Sequence, residues 1–312
     1  MLLTSFTLFS PVLVLFVMGY LIVRSGYLSS HVGDILIEYL MKVPIPIVTF
    51  FAMTKFVWED VAGSLTFVFT YTAIHFLFLF GSLLLLTLLG YPKNRSVTIA
   101  SCIFFPNLVF FALPIFLSLP NHQQYMHLFV LGLIISVVIF SLIVVPLYKV
   151  DSQSLSLSVL WQSAKETLKM PLVIAVIAGV FMLVFKLHLP IFVERLMSKF
   201  GAIVGTTGVI ALGMNIDVQF KQYDWSVWVA VIAKTCLMPL MTIGFVKFFR
   251  IDLSHTDFFA LVIMLACPTA GIAAMTAKQL SDHPQTAFNI TIGSTMLSVM
   301  LFPVWIALVN YL

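Results

Sequence analysis

The sequence predicts an all-α polytopic membrane protein of ten transmembrane helices, and three observations carry that prediction. Of 312 residues, 61% are hydrophobic and 9% charged, with a mean hydropathy of +1.12; a soluble domain gives about a quarter of its residues to charge. The apolar residues gather into runs of roughly 20, the length a helix needs to cross the hydrocarbon core. A single polar stretch of any length, Lys149 to Lys169, then divides the chain, so that residues 1–150 read as a first block of five spans, 151–169 as a linker and 170–312 as a second block of five.

Each span is an apolar run closed by charge, Gly or Pro. The first, 5–23, stops at Arg24 and Gly26; it lacks a basic leader and a small-residue cleavage site, so it is expected to be retained. The second, 33–53, ends before Lys55, the third, 62–89, at Gly90, the fourth, 96–118, before Pro120, and the fifth, 126–148, at Lys149. In the second block the runs are 168–186, 198–216, 226–249, 257–278 and 286–311. Lys and Arg favour one set of loops narrowly: Arg24, Lys93, Arg95, Lys149, Lys165, Lys169, Lys221 and Lys278 against Lys55, Lys186, Arg195, Lys199, Lys247 and Arg250. The richer face is expected to be cytoplasmic, which leaves both termini extracytoplasmic in a plasma (inner) membrane.

The same composition excludes other classes. The net charge of +4 is spread over the loops and forms no basic stripe, so no nucleic-acid partner is expected. Cys102, Cys236 and Cys267 lie inside apolar runs, without metal-ligand spacing, and imply neither a disulfide framework nor a metal site. No H-E-x-x-H, no G-x-S-x-G and no paired intramembrane aspartates occur, so an intramembrane enzyme lacks its parts.

Five spans per half is an odd number, so any duplication must place the halves in opposite topology as inverted repeats. An internal echo agrees: span four reads Ile103-Phe104-Phe105-Pro106-Asn107 and span nine Leu265-Ala266-Cys267-Pro268-Thr269, while spans five and ten carry late prolines at Pro146 and Pro303. A mid-span proline removes a backbone donor and frees nearby carbonyls. In lipid that is tolerated only where protein or a water-filled cavity satisfies the freed groups, which makes Pro106 with Pro114, and Pro268, candidates for a shared polar site at depth.

The stretch Pro106-Asn107-Leu108-Val109-Phe110-Phe111-Ala112-Leu113-Pro114 resembles the fourth-span signature of the auxin efflux carrier family of permeases. Gly19-Tyr20, Arg24 and Gly26-Tyr27-Leu28 are similar to that family's first span and loop, and Pro44-Ile45-Pro46 to its second. Ala211-Leu212-Gly213-Met214 is similar to its seventh, Lys234 through Pro239 to its eighth, and Cys267-Pro268-Thr269-Ala270 to its ninth. The resemblance covers nearly the whole chain. It implies two inverted five-helix repeats, with helices four and nine broken and crossing near the midplane, in a superfamily with bile-acid symporters and sodium/proton antiporters. It also implies an organic anion, a carboxylate, as substrate, and relatives that dimerise. Val109 and Ala112 stand where the family favours glycine.

The remaining polar residues are weighed one by one. Lys234, near the expected bilayer centre, costs about 2.5–3.5 kcal/mol to insert and should face the interior with a partner. Its ammonium could attract a substrate carboxylate or tie broken-helix carbonyls together where a sodium ion would otherwise sit; a lysine that releases its proton would couple transport to protons. No cofactor is expected, and coupling to H+ or Na+ stays open. Asn107 can hold a freed carbonyl or a carboxylate oxygen. Asn215 and Asp217 close span seven, with capping and ion binding both open for Asp217. The candidate substrate site is thus Asn107, Pro106, Pro114, Pro268, Thr269, Lys234, Asn215 and Pro46. Asp34, Glu38 and Lys42 share one helix face and are expected to pair. His75 is expected to pack or bond between helices. Trp58, Trp225, Trp228 and Trp305 are placed at span ends, at headgroup level, and Gly179 and Gly132 would allow close helix contact. The function expected is secondary transport by alternating access; an anion channel and a non-transporting sensor or scaffold are the alternatives.

Overall fold

The computed structural model describes residues 2–55, 63–119, 123–149, 161, 165, 168–215 and 224–312. The linker 151–169 lies almost wholly outside the described residues, as do Trp58 and Asp217.

Among the described residues every regular element is helical. The first half gives α1 (Leu2–Arg24), α2 (Ser30–Lys42), α3 (Pro44–Met53), α4 (Leu65–Leu88), α5 (Lys93–Phe104), α6 (Leu113–Ser118), α7 (Gln123–Ile139) and α8 (Val145–Lys149). The second gives α9 (Pro171–Val184), α10 (Ile191–Met214), α11 (Trp225–Ile232), α12 (Met238–Phe248), α13 (His255–Leu265), α14 (Gly271–Leu280) and α15 (Pro284–Tyr311). Among the described residues, six helical stretches are long and apolar enough to cross a membrane: Ser30–Met53, Leu65–Leu88, Gln123–Tyr148, Ile191–Met214, Trp225–Phe248 and Pro284–Tyr311. Shorter apolar helices cover Ser10–Arg24, Leu108–Ser118, Pro171–Val184 and His255–Leu265. The runs expected at 96–118 and 257–278 are interrupted, which is why neither supplies a long helix.

Proline explains most interruptions. Val43 (φ −123°, ψ −71°) and Phe105 (φ −90°, ψ 105°) each precede a proline and leave the helical region, because the proline ring crowds the residue before it. Among the described residues, three π-helical turns, Leu108–Ala112, Phe140–Val144 and Ala233–Leu237, each end two residues before a proline: Pro114, Pro146 and Pro239. A wider turn gives the ring room against the carbonyl four residues back, so the helix continues where a tight α-turn would clash.

The chain forms two compact units, each drawn from both sides of the linker. The first comprises Met1–Leu65, Val109–Leu131 and Leu168–Val218; the second Thr66–Leu108, Gly132–Thr167 and Gln219–Leu312.

In the first unit α1 packs along α10 and α9 along α3. The α1/α10 contact is backbone to backbone: a Cβ on Gly19 would fall 2.1 Å from the Ile210 carbonyl oxygen, and one on Gly213 2.1 Å from that of Phe16. Small residues are how membrane helices approach this closely. Gly179 of α9 faces the Met53 side chain, so that glycine serves contact within the chain. Glu38 pairs with Lys42 as expected, but Asp34 accepts instead from Asn215 Nδ2 at 3.0 Å, with Gly33 making room for the amide.

In the second unit α13 is buried on every side from Phe259 to Leu265, the mark of a core helix, and α15 packs on α5, α11, α13 and α14. His75 of α4 lies beside the Tyr71 carbonyl (Nδ1···O 2.8 Å) and Ser136 of α7 (Nε2···Oγ 3.5 Å), while the Tyr71 hydroxyl bonds Ser136 at 2.9 Å. His75 is therefore an interhelical bonding residue. Gly132 accommodates the Met264 and Tyr71 side chains and, like Gly179, is occupied within the chain.

Candidate functional site

The site is the place in the second unit where the two broken helices meet. After Phe105 turns out of the helix, Pro106 pairs with Thr269 in an isolated antiparallel bridge. Two backbone hydrogen bonds flank it: Asn107 N–H donates to the Pro268 carbonyl (2.7 Å) and Ala270 N–H to that of Phe105 (2.9 Å). Neither segment could do this as a helix, because its N–H would be spent four residues back; each proline removes that competition.

The groups released by the breaks are then satisfied by side chains. Pro106 deprives the Cys102 carbonyl of its helical donor, and the Thr269 hydroxyl, from the opposite helix, donates to it at 2.7 Å. Thr269 N–H goes to Ser294 Oγ of α15 (3.1 Å), and Ser298 Oγ donates to the Ala266 carbonyl (3.5 Å). The main-chain groups at the crossing thus pair with each other and with α15. Thr269→Val is expected to destabilise the protein by about 1–3 kcal/mol, since it orphans a buried carbonyl; thermal unfolding of the purified protein checks this, with Thr269→Ser keeping most of the stability.

Lys234 lies in the π turn between α11 and α12 and is fully buried. Its ammonium bonds the Met238 thioether at 3.4 Å and sits within electrostatic reach of Cys102, Cys267 and His75. Cys102 and Cys267 belong one to each broken helix, so the cation stands beside the crossing. Sulfur is a weak acceptor, and an ammonium has three donors to place. The carbonyls of Cys102 and Ala266, at the breaks, accept from Thr269 and Ser298.

Beyond the bridge α14 begins at Gly271, which is exposed, with no side-chain cap on its leading N–H groups. A Cβ added at Gly271 would meet nothing within 4 Å, so the chain is open beside the start of α14, while Ala273 N–H already donates to the Ala270 carbonyl at 3.0 Å. Uncapped N–H groups and the helix dipole both favour an anion there.

Of the predicted site residues, Pro106, Asn107, Pro268 and Thr269 come together at the crossing, with Asn107 and Thr269 buried and Lys234 beside them. Pro46, Pro114 and Asn215 belong to the first unit. Sequence reasoning missed Ser294, Ser298 and above all Trp305. Trp305 is buried in the protein, and its indole N–H donates to the Thr235 carbonyl at 3.1 Å. The signal was present in Pro239, which cannot supply the N–H that the carbonyl four residues back requires. Trp225, by contrast, is exposed.

A family described as membrane transport protein has a model that matches residues 4–306. No individually curated protein matches the sequence.

Proposed function

We propose a carrier function from one premise: the chain belongs to the auxin efflux carrier family of membrane transport proteins, and is an integral multi-pass membrane protein. On this reading it is a secondary transporter of a small organic anion, a carboxylate, working by alternating access. A bundle built around the crossing helices moves as an elevator against a scaffold. The observation that carries the reading is a fully buried ammonium, bonded to a thioether, beside two broken helices whose own polar groups are already paired. Such a cation is costly to bury without an anion, and a carboxylate shared between Lys234 and the uncapped start of α14 would compensate it.

Two inverted five-helix repeats are supported by paired features. α1 packs on α10 as α9 packs on α3. Spans one and three close on residues with positive φ, Gly26 and Gly90, and their counterparts six and eight on Lys186 and Arg250. The proposed setting is the plasma (inner) membrane with both termini extracytoplasmic, coupling to H+ or Na+, and a homodimer that uses neither Gly132 nor Gly179.

The test is uptake into proteoliposomes together with thermal unfolding against acetate, malonate, malate and indoleacetate, with and without sodium and across pH. A carrier gives saturable flux and counterflow, and its ligand raises Tm by mass action. Asn107→Ala is expected to remove most uptake while leaving the protein in the membrane. Absence of flux and of any Tm shift across the whole panel would overturn the proposal, and flux without saturation or counterflow would favour a channel.

A further inference from the structure

The Trp305 to Thr235 hydrogen bond crosses from α15 to the turn that carries Lys234. Thr235 stands four residues before Pro239, so its carbonyl is the one whose helical donor Pro239 lacks. The turn is already widened: Met238 N–H, which in an α-helix would bond the Lys234 carbonyl, reaches back to Ala233 instead. Two arrangements of this stretch are then close in geometry, the π turn and a tighter one. What distinguishes them is where the Thr235 carbonyl points. Trp305, which is buried, donates to that carbonyl at 3.1 Å in the arrangement observed.

We infer that Trp305 is a positioning residue for the anion site: by holding the carbonyl that Pro239 leaves without a donor, it fixes the π turn and so sets the place of the Lys234 ammonium beside the crossing. Moving a helix between π and α registers rotates the side chains it carries by a large fraction of a turn. Lys234, one residue from the held carbonyl, cannot stay where it is if the turn relaxes. The role in ligand binding rests on the carrier reading above; the contact itself does not.

A double-mutant cycle tests the contact without any ligand. Trp305→Phe keeps the ring and drops the N–H. It should lower Tm by several degrees in the Pro239 background and have little effect in Pro239→Ala, where the restored N–H serves Thr235. Equal losses in both backgrounds would mean that Trp305 only packs, and would overturn the inference. The second arm uses malonate, or whichever panel carboxylate raises Tm most. Trp305→Phe should raise its KM about tenfold with the saturated rate kept, and Trp225→Phe should change neither. Where Trp305→Phe does not accumulate, Trp305→His, which retains a ring N–H, replaces it and should keep the original KM. An unchanged KM in Trp305→Phe overturns the positioning role. If Lys234→Met also leaves carboxylate binding unchanged, the site reading has failed, while the ligand-free cycle still decides the contact.

Discussion

Lys234→Met should make the ligand-free protein more stable and at the same time abolish its response to carboxylates. The two effects have one cause. Lys234 is fully buried and its hydrogen bond goes to sulfur, so the folded state carries a charge whose desolvation is poorly compensated. Met has similar length and no charge, and replacing buried ionic groups by apolar ones of like volume stabilises by about 1–4 kcal/mol. Removing one partner of a buried charge pair with ligand costs about 2–5 kcal/mol, roughly 30- to several-thousand-fold in affinity. Unfolding of wild type and variant, each with and without malonate, reads both. A purely structural lysine would give the opposite first sign, a less stable variant, and that result with carboxylate binding intact would sink the assignment. Opposed signs are what a functional residue kept at the expense of stability predicts.

Gly213→Ala should be the most destabilising single-methyl change in the first unit. The added carbon would lie 2.1 Å from the Phe16 carbonyl oxygen and 3.1 Å from Tyr20 N, and both are backbone, which no rotamer change can clear. α1 and α10 would have to separate, at a cost at or above the upper end of about 1–3 kcal/mol. Gly19→Ala meets the Ile210 carbonyl at the same distance from the other side. Because the first substitution already spreads the helices, the second should cost less, and the pair should be sub-additive. Gly244→Ala is the control: a Cβ there meets nothing within 4 Å, so helix propensity alone acts and the change should stabilise by about 0.5–1 kcal/mol. Thermal unfolding of the four variants in one detergent checks the order; a Gly213→Ala protein as stable as wild type would show that the close approach is not as described.

What could be read from residues and what could not differ by range. The breaks at Pro106 and Pro268 were legible because a proline's missing N–H acts on its own helix, whatever surrounds it. The partner of the freed Cys102 carbonyl was not, since the Thr269 hydroxyl lies 167 residues away in sequence. Pro114 was a candidate by the same local reasoning as Pro106 and falls in the first unit; a proline says that a carbonyl is free and nothing about which unit it faces. The part played by Trp305 was not legible, because a tryptophan four-fifths of the way along the last span has the amphipathic look of an interfacial ring. Pro239 announces a carbonyl without a donor; only the fold shows that the Trp305 N–H serves it.

By itself, then, the sequence determined that this protein lives in a bilayer, that it is all helix, and where its helices give way, because hydropathy, helix length and the chemistry of proline act over a turn or two of chain. The tertiary structure alone decided how the breaks are healed: by a two-bond bridge between segments from opposite halves, by Thr269, Ser294 and Trp305, and with Lys234 left beside a sulfur. Those outcomes depend on which donor reaches which acceptor across packed helices, and backbone groups that must be paired in a medium without water take their partners from space and not from sequence.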